Sequence, residues 1–216
     1  MYKRQDFLYS GEKKYLDTLN LWATDWCKNN NINAMKMDFV FMRHPVPGSA
    51  QQLTNYVDSV IVNAGDGTHE HPTQALLDIM SLKEKFGKVN GLKIGIVGDI
   101  LHSRVALSNI FGLVKLGAKV KVCGPPHLIQ KDIDSLGVNV EYDIDSLIEW
   151  ADALNILRIQ RERMGIGLIP SVREYREVFG ITSKRIENLK GWINNKNLWG
   201  KVCLLYTSDA ADERSS

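Results

Sequence analysis

Short apolar runs alternate along this chain with longer segments in which apolar residues recur at the spacing of a helix. The apolar runs predict strands at residues 39–42, 58–63, 92–99, 118–123, 138–142 and 152–157. The helical spacing predicts helices at residues 72–86, 103–116, 132–136 and 144–150. A strand, helix, strand order of this kind is typical of parallel doubly wound sheets, so we predict an α/β fold with two lobes.

A helix joins the two predicted lobes. We place a partial first domain at residues 6–74, the joining helix at residues 75–90 and a partial second domain at residues 91–202. Gly87 is expected to end this helix. Its predicted apolar face consists of Leu76, Leu77, Met80, Leu82 and Phe86.

The two ends of the chain differ from the rest. Residues 1–5 and 203–216 resemble the two translated strands of a sequencing adapter. We therefore exclude both tails from the predicted fold and expect the sequence of the parent protein to continue past each of them. A natural polar tail is the alternative.

Composition excludes several classes of protein. Hydrophobic residues make up 44% of the 216 residues, which is enough for a packed core. A net charge of +2 gives no sign of a nucleic-acid or membrane partner, and the apolar runs are too short to span a bilayer. Cys27, Cys123 and Cys203 lack the spacing of metal ligands and indicate free thiols. Because no signal segment is visible either, we predict a cytoplasmic protein.

A polar loop at residues 63–74 contains glycines, an aspartate and two histidines, His69 and His71, at the start of the helix predicted for residues 72–86. Free backbone N–H groups and the positive end of a helix dipole suit an anionic or carbonyl ligand. Considered alone, the loop is equally consistent with an ordinary glycine-rich turn that carries surface histidines.

Three arginines follow predicted strands, at the edge where parallel sheets bind ligands. Arg43 comes directly after residues 39–42. Arg104 lies in the first turn of a helix, and Arg158 follows the strand at residues 152–157. A guanidinium is a planar fork that suits phosphate or carboxylate. A solvated surface charge is the alternative for each arginine taken singly.

Two further polar residues accompany Arg158. If the strand continues past residue 157, alternation places Gln160 and Glu162 on the same face as Arg158, where Glu162 can orient the guanidinium. A loop of mixed charge is the alternative.

Other common kinds of site are weakly supported. Residues 97–102 follow a strand but lack the G-x-G-x-x-G spacing of a dinucleotide site. His69 and His71 have no obvious third ligand nearby, so we predict no metal. No G-x-S-x-G motif or Cys/His pair indicates a covalent nucleophile. Three arginines and a histidine therefore suggest direct transfer between two bound anionic substrates, aided by positioning and oxyanion stabilisation.

Four motifs in order resemble the catalytic chains of aspartate carbamoyltransferases, in the aspartate/ornithine carbamoyltransferase family. They are Met42-Arg43-His44-Pro45 and residues 63–78, 98–106 and 157–163. The resemblance implies a two-lobed carbamoyltransferase fold. It also implies transfer of the carbamoyl group from carbamoyl phosphate to L-aspartate, which gives N-carbamoyl-L-aspartate and phosphate in de novo pyrimidine biosynthesis.

The resemblance also implies roles for individual residues on the carbamoyl side. His71 and Arg43 contact the carbamoyl oxygen or the phosphate, and His71 steadies the tetrahedral oxyanion. Gln74 holds the carbamoyl amide. The family needs no cofactor, so none is expected here.

On the amino-acid side, the resemblance implies that Arg104 and Arg158 grip the two carboxylates of L-aspartate. Gln160 lies beside them, and Glu162 supports Arg158. Two arginines at a fixed separation select a dicarboxylate, because ornithine would leave them unpaired.

The sequence departs from the family pattern in two loops. The Ser-Thr-Arg-Thr loop that cradles the phosphate and the downstream His-Pro-x-Pro loop are both missing, so we expect the 216-residue chain to be inactive by itself. The family forms trimers with sites between subunits, which implies a homotrimer for the intact parent and leaves a regulatory chain open. The alternatives are a carbamoyltransferase for another amino acid, such as ornithine, and a non-catalytic amino-acid-binding module.

Overall fold

The computed structural model describes residues 32–157, 172–182, 185 and 204–206. The chain divides into two compact units between Glu70 and His71. Each unit contains a parallel sheet, which confirms the predicted α/β fold. The predicted domain bounds stay a prediction.

A two-stranded parallel sheet forms the centre of the described part of the first unit. The elements of this unit are a 3-10 helix Ile32–Met35, β1 Phe39–His44, α1 Ser49–Leu53 and β2 Val60–Asp66. The buried apolar side chains that hold these elements together are Ile32, Met42, Ala50, Leu53 and Val57.

The second strand, β2, continues past the end predicted at residue 63, as far as Asp66. Arg43 in β1 faces two residues of β2, Ala64 and Gly65, because the ladder shifts register there. Gly65 has a φ of 120°, which only glycine adopts without strain. The bulge keeps the two strands paired through residues that we predicted as a loop.

The second unit is built on a parallel sheet with helices. Its strands are β3 Lys93–Val97, β4 Lys119–Cys123, β5 Asn139–Glu141, β6 Ala153–Ile156 and β7 Leu204–Tyr206. Its α-helices are α2 Pro72–Phe86, α3 Arg104–Lys115, α4 Ile144–Trp150 and α5 Val172–Phe179. Shorter 3-10 helices lie at Pro126–Leu128 and Ile133–Leu136.

The strand order β5-β4-β3-β6-β7 places a topological switch point between β3 and β6. Ligands bind at the carboxyl ends of the strands beside such a point. Gly98, just after β3, has a φ of 132°, and an added Cβ would lie 3.0 Å from the Cβ of Leu157. The N–H of Leu157 also donates to the carbonyl of Val97 at 2.8 Å. A glycine at position 98 therefore lets the ends of β3 and β6 lie side by side.

The ends of α2 agree with the prediction. Pro72 occupies the first helical position, where its missing N–H costs nothing, and Gly87 ends the helix in the left-handed conformation with a φ of 76°.

The apolar face predicted for α2 is partly wrong. Leu76, Leu77 and Met80 are 66%, 51% and 51% exposed. The residues that face the core, at helical spacing, are Ala75, Asp78, Ile79, Leu82 and Phe86. The stripe is displaced because the acid at position 78 lies inside, where buried amides satisfy its carboxylate.

The segment at residues 204–206, which we exclude from the predicted fold, forms β7 and pairs in parallel with β6. The free edge of a strand offers backbone N–H and C=O groups to any extended segment. Pairing alone therefore does not identify the origin of this tail, and its adapter origin stays a prediction.

Candidate active site

His71 lies at the N-cap of α2 and is 9% exposed. Its backbone N–H donates to the Oγ of Ser108 in α3 at 2.9 Å. The hydroxyl of Thr73 lies 3.2 Å from the Nδ1 of its ring. If this hydroxyl donates, the proton of the neutral imidazole is on Nε2, which then becomes a hydrogen-bond donor. Neighbours therefore hold both the main chain and the ring of His71.

Gln74 lies in the first turn of α2, and its side chain is held by a hydrogen bond to Asp78. Its Nε2 donates to the carboxylate of Asp78, one turn further along the helix, at 2.9 Å. The same carboxylate accepts from Nδ2 of Asn109 in α3 at 2.7 Å and from Nδ2 of Asn155 in β6 at 3.1 Å. Burial raises the pKa of the Asp78 carboxyl, although the three amide donors act in the opposite direction.

The loop between β3 and α3 is organised by Asp99, which is fully buried. Its carboxylate accepts from the backbone N–H of His102 at 3.1 Å and lies 3.0 Å from Nδ1 of the same residue. Ser103 caps α3 by accepting from the N–H of Ala106 at 3.2 Å. Arg104 follows as the first residue of α3 and is only 3% exposed. The loop thus places a buried arginine at the start of α3, after the carboxyl end of β3.

Asp66 organises the polar loop of the first unit and is 1% exposed. It accepts from the backbone N–H groups of Gly48 at 2.8 Å and Glu70 at 2.9 Å, and Nδ1 of His69 lies 3.0 Å away. Burial alone would raise the pKa of Asp66, but hydrogen bonds from His69 and Asn63 hold it below its usual range. The loop is therefore built around an ionised carboxylate.

The structure brings three predicted site residues together in the second unit. His71 and Gln74 begin α2, and Arg104 begins α3. Ser108, one turn after Arg104, makes the bond to His71 that joins the two helix starts. Arg43 lies in the first unit, exposed, near the carboxyl end of β1.

Three predicted site residues, Arg158, Gln160 and Glu162, lie outside the described residues, so their roles stay predictions. Leu157, immediately before them, ends beside Gly98 at the switch point.

Sequence reasoning missed four buried polar residues around the site, namely Asp78, Ser108, Asn109 and Asn155. Each stands among apolar residues of a predicted helix or strand. Polar groups are seldom buried without partners, so this placement was the signal that could have found them.

The described part of the chain contains no group of three or more His, Cys, Asp or Glu side chains that could hold a metal ion. Among the same residues there is also no helix that is long and apolar enough to cross a membrane.

The fold and the site define an α/β protein with a parallel sheet, two helix starts and a buried arginine at its ligand-binding edge. The chain is similar to the aspartate/ornithine carbamoyltransferase family, and residues 27–84 match the model of that family's carbamoyl-P binding domain. The resemblance to aspartate carbamoyltransferase catalytic chains, inferred from the sequence motifs, is confirmed by the relatives of this chain.

Two of these relatives are named aspartate carbamoyltransferase catalytic subunit. The chain is 58% identical over 161 residues to the protein from Christiangramia forsetii, and this match covers 74% of the chain and 52% of the relative. It is 51% identical over 195 residues to the protein from Flavobacterium psychrophilum, and this match covers 87% of the chain and 61% of the relative. With 52% and 50% of the first two relatives covered, the chain spans about half the length of the curated relatives it matches.

Solved structures give the same result. The aspartate transcarbamoylase from Trypanosoma cruzi, in complex with aspartate and phosphate, matches with a TM-score of 0.57 and 27% sequence identity. The match covers 72% of this chain and 54% of that one.

Proposed function

We propose that this chain supplies residues for transfer of the carbamoyl group from carbamoyl phosphate to L-aspartate. The amine nitrogen of aspartate attacks the carbamoyl carbon, the bond from that carbon to the phosphate oxygen breaks, and the amine loses a proton. The products are N-carbamoyl-L-aspartate and phosphate, in a step of de novo pyrimidine biosynthesis. The observation that carries the proposal is the hydrogen bond from the backbone N–H of His71 to the Oγ of Ser108, which joins the helix starts of His71 and Arg104.

On the carbamoyl side, His71 stabilises the oxyanion that forms on the carbonyl oxygen during the attack. A proton on Nε2 makes the ring a neutral donor, and a preorganised donor of this kind stabilises developing charge at no cost of reorganisation. Thr73 supports this tautomer through its contact with Nδ1. Gln74 accepts a hydrogen bond from the carbamoyl NH2 through its Oε1, and Arg43 binds on the phosphate side.

On the amino-acid side, Arg104 and Arg158 bind the two carboxylates of L-aspartate, with Gln160 beside them and Glu162 holding Arg158. The burial of Arg104 supports this role, because a desolvated guanidinium binds a carboxylate more strongly than a solvated one. Two positive forks also discriminate against ornithine, which has only one carboxylate to offer.

The intact protein is proposed to be a cytoplasmic homotrimer in which neighbouring subunits complete each site. A regulatory chain is compatible with this assembly. The missing Ser-Thr-Arg-Thr loop leaves the 216-residue chain without a phosphate cradle, so we expect no turnover from it by itself.

The test uses a hybrid subunit, in which the residues matched to the Christiangramia forsetii protein replace the corresponding segment of that protein. The hybrid subunit is expected to form N-carbamoyl-L-aspartate from carbamoyl phosphate and L-aspartate, while the 216-residue chain forms none. Carbamoylation of ornithine instead of aspartate by the hybrid subunit would overturn the proposed substrate. Turnover by the 216-residue chain would overturn the expected dependence on the missing loops.

A further inference from the structure

Asp78 is a buried acid in the second turn of α2, 4% exposed, with no role in the proposed reaction so far. It lies one helical turn after Gln74, at a position that an apolar side chain would ordinarily occupy. Burying a carboxylate is costly unless hydrogen bonds compensate for the lost water. The residue therefore needs an explanation beyond filling the core.

Its hydrogen bonds come from three amide NH2 groups. Oδ1 accepts from Gln74, and Oδ2 accepts from both Asn109 and Asn155. The carbonyl oxygens of the two asparagines are buried and have no hydrogen-bond partner among the described residues. Both asparagines thus donate from their NH2 groups to Asp78, while their carbonyl oxygens lack a hydrogen bond. This arrangement indicates a site that requires an acceptor with two oxygens.

This acceptor also fixes which end of the Gln74 amide faces away from the core. An ionised carboxylate can only accept, so the NH2 of Gln74 is directed to Asp78. The amide oxygen Oε1 then lies on the opposite side of the amide group, away from Asp78.

We propose that Asp78 is a positioning residue that holds the Gln74 amide with Oε1 towards the substrate and so selects a carbamoyl group over an acyl group without an NH2. The inference rests on the proposed function. A carbamoyl NH2 donates to Oε1, whereas the methyl of acetyl phosphate leaves Oε1 without a partner.

The variant Asp78→Asn separates this role from simple packing, because it keeps the size of the side chain. The single oxygen of the introduced amide is expected to take the position that receives two donors, from Asn109 and Asn155. The NH2 of the introduced amide then faces Gln74, which must rotate its own amide to present Oε1 to that donor. The NH2 of Gln74 would now point to the substrate and oppose the carbamoyl NH2.

The assay compares kcat/KM for carbamoyl phosphate and for acetyl phosphate in the hybrid subunit, with L-aspartate as acceptor. Attack of the amine on either donor releases phosphate and forms N-carbamoyl-L-aspartate or N-acetyl-L-aspartate. In Asp78→Asn, the preference for carbamoyl phosphate should fall roughly 10- to 100-fold, the range of one hydrogen bond to the substrate exchanged for a mismatch.

Two further variants distinguish positioning from a structural effect. Ile110→Val, which removes one methylene from the fully buried neighbour of Asn109, should leave the preference unchanged. The double variant Asp78→Asn, Gln74→Glu should recover part of the preference, because a carboxylate at position 74 accepts from both the amide introduced at position 78 and the carbamoyl NH2.

An unchanged preference in Asp78→Asn, in a hybrid subunit that carbamoylates aspartate, would overturn the role of Asp78 and leave the proposed function intact. An equal loss of preference in Ile110→Val would also overturn it. A folded hybrid subunit that carbamoylates no amino acid would contradict the proposed function itself, and the inference with it.

Discussion

The hydrogen bond from the backbone N–H of His71 to Ser108 is expected to stabilise the start of α2 in the second unit. Both residues are buried, at 9% and 8% exposure, and the bond length is 2.9 Å. Ser108→Ala removes the acceptor and leaves a buried N–H without a partner. We expect the free energy of unfolding to fall by about 1–3 kcal/mol, the usual cost of an unsatisfied buried donor.

The loss is best measured locally, by hydrogen exchange of the His71 amide in the 216-residue chain. A change of this size corresponds to exchange that is roughly 5- to 150-fold faster. Ser81→Ala is the matched control, because the Ser81 hydroxyl donates to the Leu77 carbonyl at 3.0 Å on the exposed side of α2. The control should change stability by less than about 0.5 kcal/mol.

Unchanged exchange at His71 in Ser108→Ala would show that the bond does not hold the start of α2. An equal effect in Ser81→Ala would show that the loss is a general effect on the helix. Either result would refute the reasoning that joins the starts of α2 and α3.

Two further predictions concern the stability of the first unit at low pH and the binding of aspartate by Arg158. The folded-state pKa of Asp66 lies below its ordinary value of 3.8, so its stabilisation is complete above about pH 4 and is lost as the pH falls through the folded-state pKa. The free energy of unfolding of the first unit, measured by urea denaturation, should therefore fall more between pH 7 and pH 3 in the unmodified chain than in Asp66→Asn. An equal fall in both proteins would contradict the lowered pKa of Asp66. In the hybrid subunit, Arg158→Ala should raise the KM for aspartate and lower kcat/KM roughly 100-fold, through loss of a charged contact. Arg161→Ala, which the sequence pattern predicts to lie on the opposite face from Arg158, should have little effect. Aspartate kinetics that stay unchanged in Arg158→Ala would remove Arg158 from the proposed site.

The elements that the sequence predicts well are those with strong local signals. Pro72 and Gly87 delimit α2 because each residue acts on the backbone at its own position. The end of β2 was not predicted correctly, because Gly65 looks like a turn residue and yet lies in a bulge. The difference depends on pairing with β1, and a local pattern does not contain that information.

The buried face of α2 shows the same limit for the candidate site. His71, Gln74 and Arg104 were predicted as site residues because polar residues at strand ends and helix starts are a local signal. Asp78 was not found, since its burial depends on Asn109 and Asn155, which are 31 and 77 residues away in the sequence. Distant partners of this kind become visible only when the sheet and its helices are assembled.

The most direct test of the central claim is a competition assay of the hybrid subunit with carbamoyl phosphate and equal concentrations of L-aspartate and L-ornithine. Two arginines that select a dicarboxylate predict that almost all of the carbamoyl product is N-carbamoyl-L-aspartate, with at most a trace of citrulline. Comparable amounts of the two products, or citrulline in excess, would contradict the claim.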